Sequence, residues 1–254
     1  EARGPGAGAL RALALIATLG LSGCSALDVL NATAPVADTR AESGIAYGPH
    51  ERQRLDVYRP AAMHSGGAPV IVFFYGGRWS DGDRADYAFV GAALAEEGMV
   101  VVVCDYRLYP QVRFPVFVQD GARAVRWTRA NAERFGGDPG SIFLMGHSAG
   151  AHIASLPALD PRYLGDDILP AGMIGLAGPY DSLPLEAADL RAIFGPPERF
   201  PESQPIEYAR ADAPPLYLLH GLGDEPVRPS NSRHPARGIR ERGRRGEARF
   251  HEST

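Results

Sequence analysis

Hydrophobic residues fall in short blocks along the chain, and their spacing separates strands from helices. Arg54-Leu55-Asp56-Val57-Tyr58 alternates with a period of two, as a half-buried strand does. Pro69 to Tyr75 is apolar on both faces, which suits a parallel strand covered by helices on either side. Met99–Val103 and Leu216–His220 repeat that continuous pattern, and Gly172–Leu176 and Glu247–Phe250 read as further strands. Between them, Phe89, Val90, Ala93 and Leu94 recur at helical spacing within Ala85–Glu97, which stops at Gly98. Val116–Phe135 predicts a second helix, ended by Gly136-Gly137-Asp138-Pro139. A third follows Ser148, and Pro157 limits it to about two turns. Residues 178–213 are proline-rich, predicted irregular, and too short for a large cap. Strands alternating with helices imply βαβ crossovers, hence an α/β domain over residues 51–254 with a doubly wound, mostly parallel sheet flanked by helices.

The N-terminal 24 residues have a different pattern. Arg3 and Arg11 precede the apolar run Ala12–Leu19, and Leu21-Ser22-Gly23-Cys24 closes it. A basic start, a short apolar centre and a small-residue exit describe an export signal, too short for a permanent membrane span. Leu-Ser-Gly-Cys resembles the lipobox of bacterial lipoproteins. That resemblance implies lipidation of Cys24, and an exported protein anchored on the periplasmic or cell-surface side of a membrane. Residues 25–50 then read as a tether.

Composition narrows the chemistry. With 26 Lys and Arg against 30 Asp and Glu, the net charge of -4 offers no basic face for nucleic acid. The two cysteines, Cys24 and Cys104, lack metal-ligand spacing, and no HExxH, P-loop or dinucleotide fingerprint occurs. No metal or nucleotide cofactor is implied.

The stretch with the clearest chemistry is Ile142-Phe143-Leu144-Met145-Gly146-His147-Ser148-Ala149-Gly150. It is a G-x-S-x-G pattern between a strand and a helix, where a sharp turn presents the serine as a nucleophile. Glycines at 146 and 150 let neighbouring backbones approach, and the Ala149 N–H would meet a developing oxyanion. Four other motifs accompany it: Tyr75-Gly76-Gly77-Arg78-Trp79, Asp105-Tyr106-Arg107, Gly136-Gly137-Asp138-Pro139 and His220-Gly221-Leu222-Gly223-Asp224. Together they resemble the α/β-hydrolases of the carboxylesterase-like group, which includes arylformamidases and hormone-sensitive-lipase-type esterases. The resemblance covers roughly residues 45–250.

In that family the loop after the early strand, His-Gly-Gly-x-Trp, supplies oxyanion-hole amides. An acyl-transfer intermediate needs such donors where negative charge develops. Here the set is Gly76, Gly77, Arg78 and Ala149, with Gly76 shaping the turn and the other three donating. Tyr75 stands in place of the family's histidine and would brace the loop through its phenol. Asp224, 76 residues after Ser148 and behind a buried strand, is the candidate acid, in the order Ser…Asp…His that this fold imposes. Asp181 is its rival and fits a turn better.

Chain order leaves His234 and His251 as candidate bases. His50, His64, His147, His152 and His220 precede the acid, and His234 sits where a helix should start. His251 lies 27 residues past Asp224 but within the last strand, so the base is either His251 or a residue beyond Thr254. Pro235 and Gly238 weaken the helix expected before that strand. Eight arginines from Arg228 to Arg249 fit a solvated face. Small-molecule carboxylic esters are the expected substrates. Aryl formamides, or a binding role without turnover, remain as alternatives.

Overall fold

The computed structural model describes residues 25–34, 36–62, 66–165, 167–210, 212–224, 227–233 and 246–251. Residues 1–24, where an export signal ending in Cys24 is expected, and His64, His234, Pro235 and Gly238 lie outside the described residues. The elements run helix α1 (Ser25–Thr33), β1 (Arg40–Ala46), β2 (Arg54–Tyr58), β3 (Ala68–Phe74), α2 (Ala88–Glu96), β4 (Val100–Cys104) and α3 (Val116–Asn131). Then come β5 (Gly137–His147), α4 (Ala149–Leu159), β6 (Gly172–Leu176), α5 (Ala188–Phe194), β7 (Leu216–Gly221) and β8 (Gly246–His251). The eight strands form one sheet in the order β1-β2-β4-β3-β5-β6-β7-β8. β2 is antiparallel to both β1 and β4, and every pair from β4 to β8 is parallel. This is the doubly wound sheet that the strand–helix alternation predicts.

The central strands are continuous apolar runs because both of their faces are covered. Phe73 and Phe74 are neighbours in β3 and therefore point to opposite sides. The Phe73 ring meets Tyr87, just before α2, at 5.5 Å. Phe74 lies under α3, where a Cβ at Gly121 would stand 3.5 Å from its ring and 2.7 Å from Ile153 Cγ2 of α4. Both phenylalanines are fully buried, each contributing about 1.5–3 kcal/mol by the usual area scale.

Three expectations need correction. Residues 25–50 are not a free tether. Asn31 stitches α1 to the domain, donating to Ala85 O and Asp86 O at 3.3 and 3.0 Å and accepting from the Phe89 N–H at 2.9 Å. β1 extends the sheet, its Gly44 N–H and Ser43 hydroxyl donating to Asp56. The domain therefore begins well before residue 51. Helix α4 runs eleven residues with Pro157 inside it. Pro157 sits in the last turn, so the bond it deletes lies near the end, and burial of all eleven residues offsets that loss. Residues 178–213 are not wholly irregular either. They hold α5 and three short 3-10 turns at Pro197–Arg199, Pro201–Ser203 and Pro205–Tyr208.

The contact that positions everything at the C-terminal edge is α4 against the end of β3. A Cβ at Gly150 would lie 2.0 Å from Phe74 O and 2.5 Å from Tyr75 O. One at Gly146 would lie 2.3 Å from the Gly150 carbonyl. Both obstacles are backbone, which cannot swing aside as a side chain can. Gly150→Ala is therefore expected to lose roughly 3 kcal/mol in urea unfolding. A loss below about 1 kcal/mol would show that the two backbones separate easily.

Candidate active site

Strand β5 ends at His147, and Ser148 turns the chain into α4 with φ 50° and ψ -119°. A non-glycine residue held there costs on the order of 1–3 kcal/mol and needs surroundings that fix it. Its N–H donates to Leu176 O of β6 at 2.8 Å, and its carbonyl accepts from the Ala151 N–H at 2.9 Å. Ser148 is half-buried. The N–H groups of the first turn of α4, Ala149 included, have no acceptor within the helix and gather partial positive charge beside the hydroxyl.

Facing this turn is the loop after β3. Gly77 has φ 134°, and a Cβ there would stand 2.0 Å from Asp81 O, so only glycine fits. Arg78 and Trp79 also have positive φ, 50° and 59°. Three consecutive left-handed residues store strain of the kind that clusters at functional sites. Gly76 lies against the serine turn, where a Cβ would meet His147 Nδ1 at 2.8 Å and Ser148 Cβ at 3.3 Å. The Gly76 backbone lies beside the Tyr87 phenol and lowers its pKa against the effect of burial. The Gly77 and Arg78 N–H groups go to no backbone carbonyl among the described residues.

The loop is braced from behind, as the phenol at position 75 suggested. Tyr75 donates to Asp105 Oδ1 at 2.9 Å and accepts from Arg52 at 2.6 Å, while Tyr106 donates to Tyr75 O at 2.9 Å. Arg84 spans the buried carboxylates of Asp56 and Asp105. On the solvent side Arg78 forks onto Asp189 of α5 at 2.5 and 3.1 Å. The Trp79 indole is buried between His152 and Phe194, with ring centroids at 5.2 and 4.8 Å.

Asp224 follows β7 in the turn that the chain-order argument requires. Its Oδ1 accepts from the Val227 N–H at 2.9 Å, and its Oδ2 lies 3.3 Å from His220 Nε2. His220 is buried, with Nε2 also 2.6 Å from Val227 O and Nδ1 2.7 Å from the Ser232 hydroxyl. Both ring nitrogens are occupied, so His220 orients the carboxylate and has no nitrogen left for a substrate. The negative charge of Asp224 reaches His147, beside the serine. Asp181, the rival acid, has its backbone N–H bonded to Asn231 Oδ1. His251 ends β8 opposite Gly221.

Sequence reasoning missed Tyr87 and the role of His220. Tyr87 Oη is 3.2 Å from His147 Nδ1. Burial raises its phenol to about 12, and desolvation lowers His147 to about 4 against the pull of Asp224. The phenol and His147 are thus both neutral and joined by one hydrogen bond. The four-residue spacing of His220 and Asp224 was visible in the sequence, but excluding His220 as a base hid its use as a holder. Nothing in the sequence marks Tyr87.

Comparison with known proteins fits this geometry. The family model BD-FAE matches residues 55–167. Esterase LipC of Mycobacterium tuberculosis is 36% identical over 202 residues, covering 71% of this chain and 50% of LipC. Thermogutta terrifontis esterase 2, in a structure phosphonylated by sarin, superposes with a TM-score of 0.73 at 27% identity, covering 84% of each chain. The chain has the α/β-hydrolase fold and is similar to esterases. A truncated carbohydrate esterase from gut microbiota shares the fold, with a TM-score of 0.74 at 21% identity over 87% of this chain and 90% of that one. The chain spans about half or less of the length of the curated relatives it matches. No helix among the described residues is long and apolar enough to cross a membrane.

Like His147, His152 is held neutral. It is buried among aromatic rings, and desolvation lowers it to about 4 although Nε2 donates to Ser203 O at 2.7 Å. Unfolded, both rings would titrate near 6.5, so the unfolded chain binds more protons between pH 6.5 and 4. Their stabilisation is complete above pH 6.5 and is lost as pH falls toward 4. Unfolding free energy is expected to drop by a few kcal/mol, roughly, across that window. The slope should be shallower in His152→Gln. An equal slope in the variant would contradict the assignment for His152.

Proposed function

We propose that this protein hydrolyses carboxylic esters of small or medium acyl groups through an acyl-enzyme at Ser148. The observation that carries this is the strained Ser148 turn pressed against a glycine loop whose Gly77 and Arg78 N–H groups have no backbone acceptor among the described residues. The Ser148 hydroxyl attacks the ester carbonyl as a histidine removes its proton. The carbonyl oxygen, now negative, takes hydrogen bonds from Gly77, Arg78 and Ala149. Collapse expels the alcohol, and water activated by the same histidine releases the acid. Asp224, held by His220 and the Val227 N–H, fixes the tautomer of that histidine and stabilises its cationic form. The histidine belongs at or beyond the end of β8, where His251 stands. A phosphonylated form of the Thermogutta esterase supports a serine nucleophile, because phosphonylating agents select activated hydroxyls.

The test is turnover of p-nitrophenyl acetate and butyrate by the gene product read to its stop codon. Ser148→Ala is expected to abolish turnover, and Asp224→Asn to lower kcat by roughly 10³–10⁴. Residual turnover in Ser148→Ala equal to the parent would overturn the proposal.

The same reading places the hydrolase at a bacterial membrane, through a lipid on Cys24. Helix α1 starts at Ser25, so the folded domain would begin at the residue after the anchor. Cys24→Ala is expected to move the protein from the membrane to the soluble fraction. An unchanged distribution would remove the lipid from the account.

A further inference from the structure

We propose that the cleft between α3 and the segments around Arg162 and Arg199 binds the oxyanion of a phosphate or carboxylate group. Its volume is about 660 Å³, and none of its lining residues belongs to the serine turn, the glycine loop or the acid turn. Arg123, Arg126, Arg162 and Arg199 line it, with Glu202 the only acid among its lining residues. The whole chain is net negative, so this concentration of one sign is local.

The arginines divide into two kinds. Arg162 is neutralised by the buried carboxylate of Asp160 and held by the Tyr208 hydroxyl at 2.7 Å, and Arg199 forks onto Glu202 at 2.9 and 3.1 Å. Arg123 and Arg126 have no carboxylate within ion-pair distance among the described residues. They stand three residues apart on α3, where like charges repel. Arg126 is not free to swing away, because it donates to the Tyr163 carbonyl. Arginine forks match the planar or tetrahedral oxygens of carboxylate and phosphate, and an anion between these two relieves their repulsion. Phe114 and Pro115 give the cleft an apolar wall beside that charge.

The shared chemistry has two sources, free phosphate or the headgroup of an anionic lipid. The experiment titrates the full chain with inorganic phosphate by calorimetry and, separately, sediments it with vesicles of phosphatidylcholine alone or mixed with phosphatidylglycerol. The double variant Arg123→Gln, Arg126→Gln breaks no ion pair and should keep the parent melting temperature. Its binding should weaken roughly ten-fold or more. The control Arg54→Gln, Arg59→Gln removes the same charge from exposed positions outside the cleft and should bind as the parent does. Saturable phosphate binding lost only in the first variant supports a free anion, and selective loss of phosphatidylglycerol binding supports the headgroup. The proposal is overturned by no saturable binding of either probe, by undiminished binding in the first variant, or by equal loss in the control.

Discussion

The backbone of α4 approaches the end of β3 more closely than any side chain would allow, and the rest of the site depends on that contact. Gly146 and Gly150 make it possible, and both are enforced by backbone atoms 2.0–2.5 Å from where a Cβ would stand. With the helix this close, Ser148 has no relaxed conformation open to it. It takes the left-handed turn that faces Gly76 and Gly77. The strain of the turn is borne by the parallel sheet, through the hydrogen bond from the Ser148 N–H to β6.

The glycine loop is strained too, and its support comes from charge. Arg84, Arg52, Asp56 and Asp105 form a half-buried network that holds the loop through the Tyr75 phenol and, from Arg52, through Gly82 O. Burial raises Asp105 above the ordinary carboxylate range even with Arg84 against it, so desolvation is not fully compensated. The network therefore works through geometry more than through net stability, as buried ion pairs commonly do. A second link, from the Tyr87 phenol to His147, ties the segment after β3 to the serine turn. Asp224 is held separately by His220, so three supports that are distant in sequence converge on one edge of the sheet.

Much of this was legible in the sequence because each strand has a period or a continuous run that burial demands. The nucleophile turn and the glycine loop were readable because steric necessity leaves glycine no substitute. The bracing role of Tyr75 was readable because a buried phenol needs a partner. What failed were features set by tertiary contact. Asn31 looked like surface until α1 placed its amide over three backbone groups. Pro157 looked like a helix stop because propensity does not count burial. Tyr87, whose phenol lies 3.2 Å from His147 Nδ1, was invisible to any local pattern. His220 was discarded for its chain position, although that position suits a residue holding the acid.

The most direct test of the account is a crystal structure of the protein reacted with a phosphonylating agent. The account predicts phosphorus on Ser148 Oγ, with one phosphonyl oxygen about 2.7–3.1 Å from the N atoms of Gly77, Arg78 and Ala149. An adduct on another residue, or an oxygen turned to solvent away from those three amides, would contradict it.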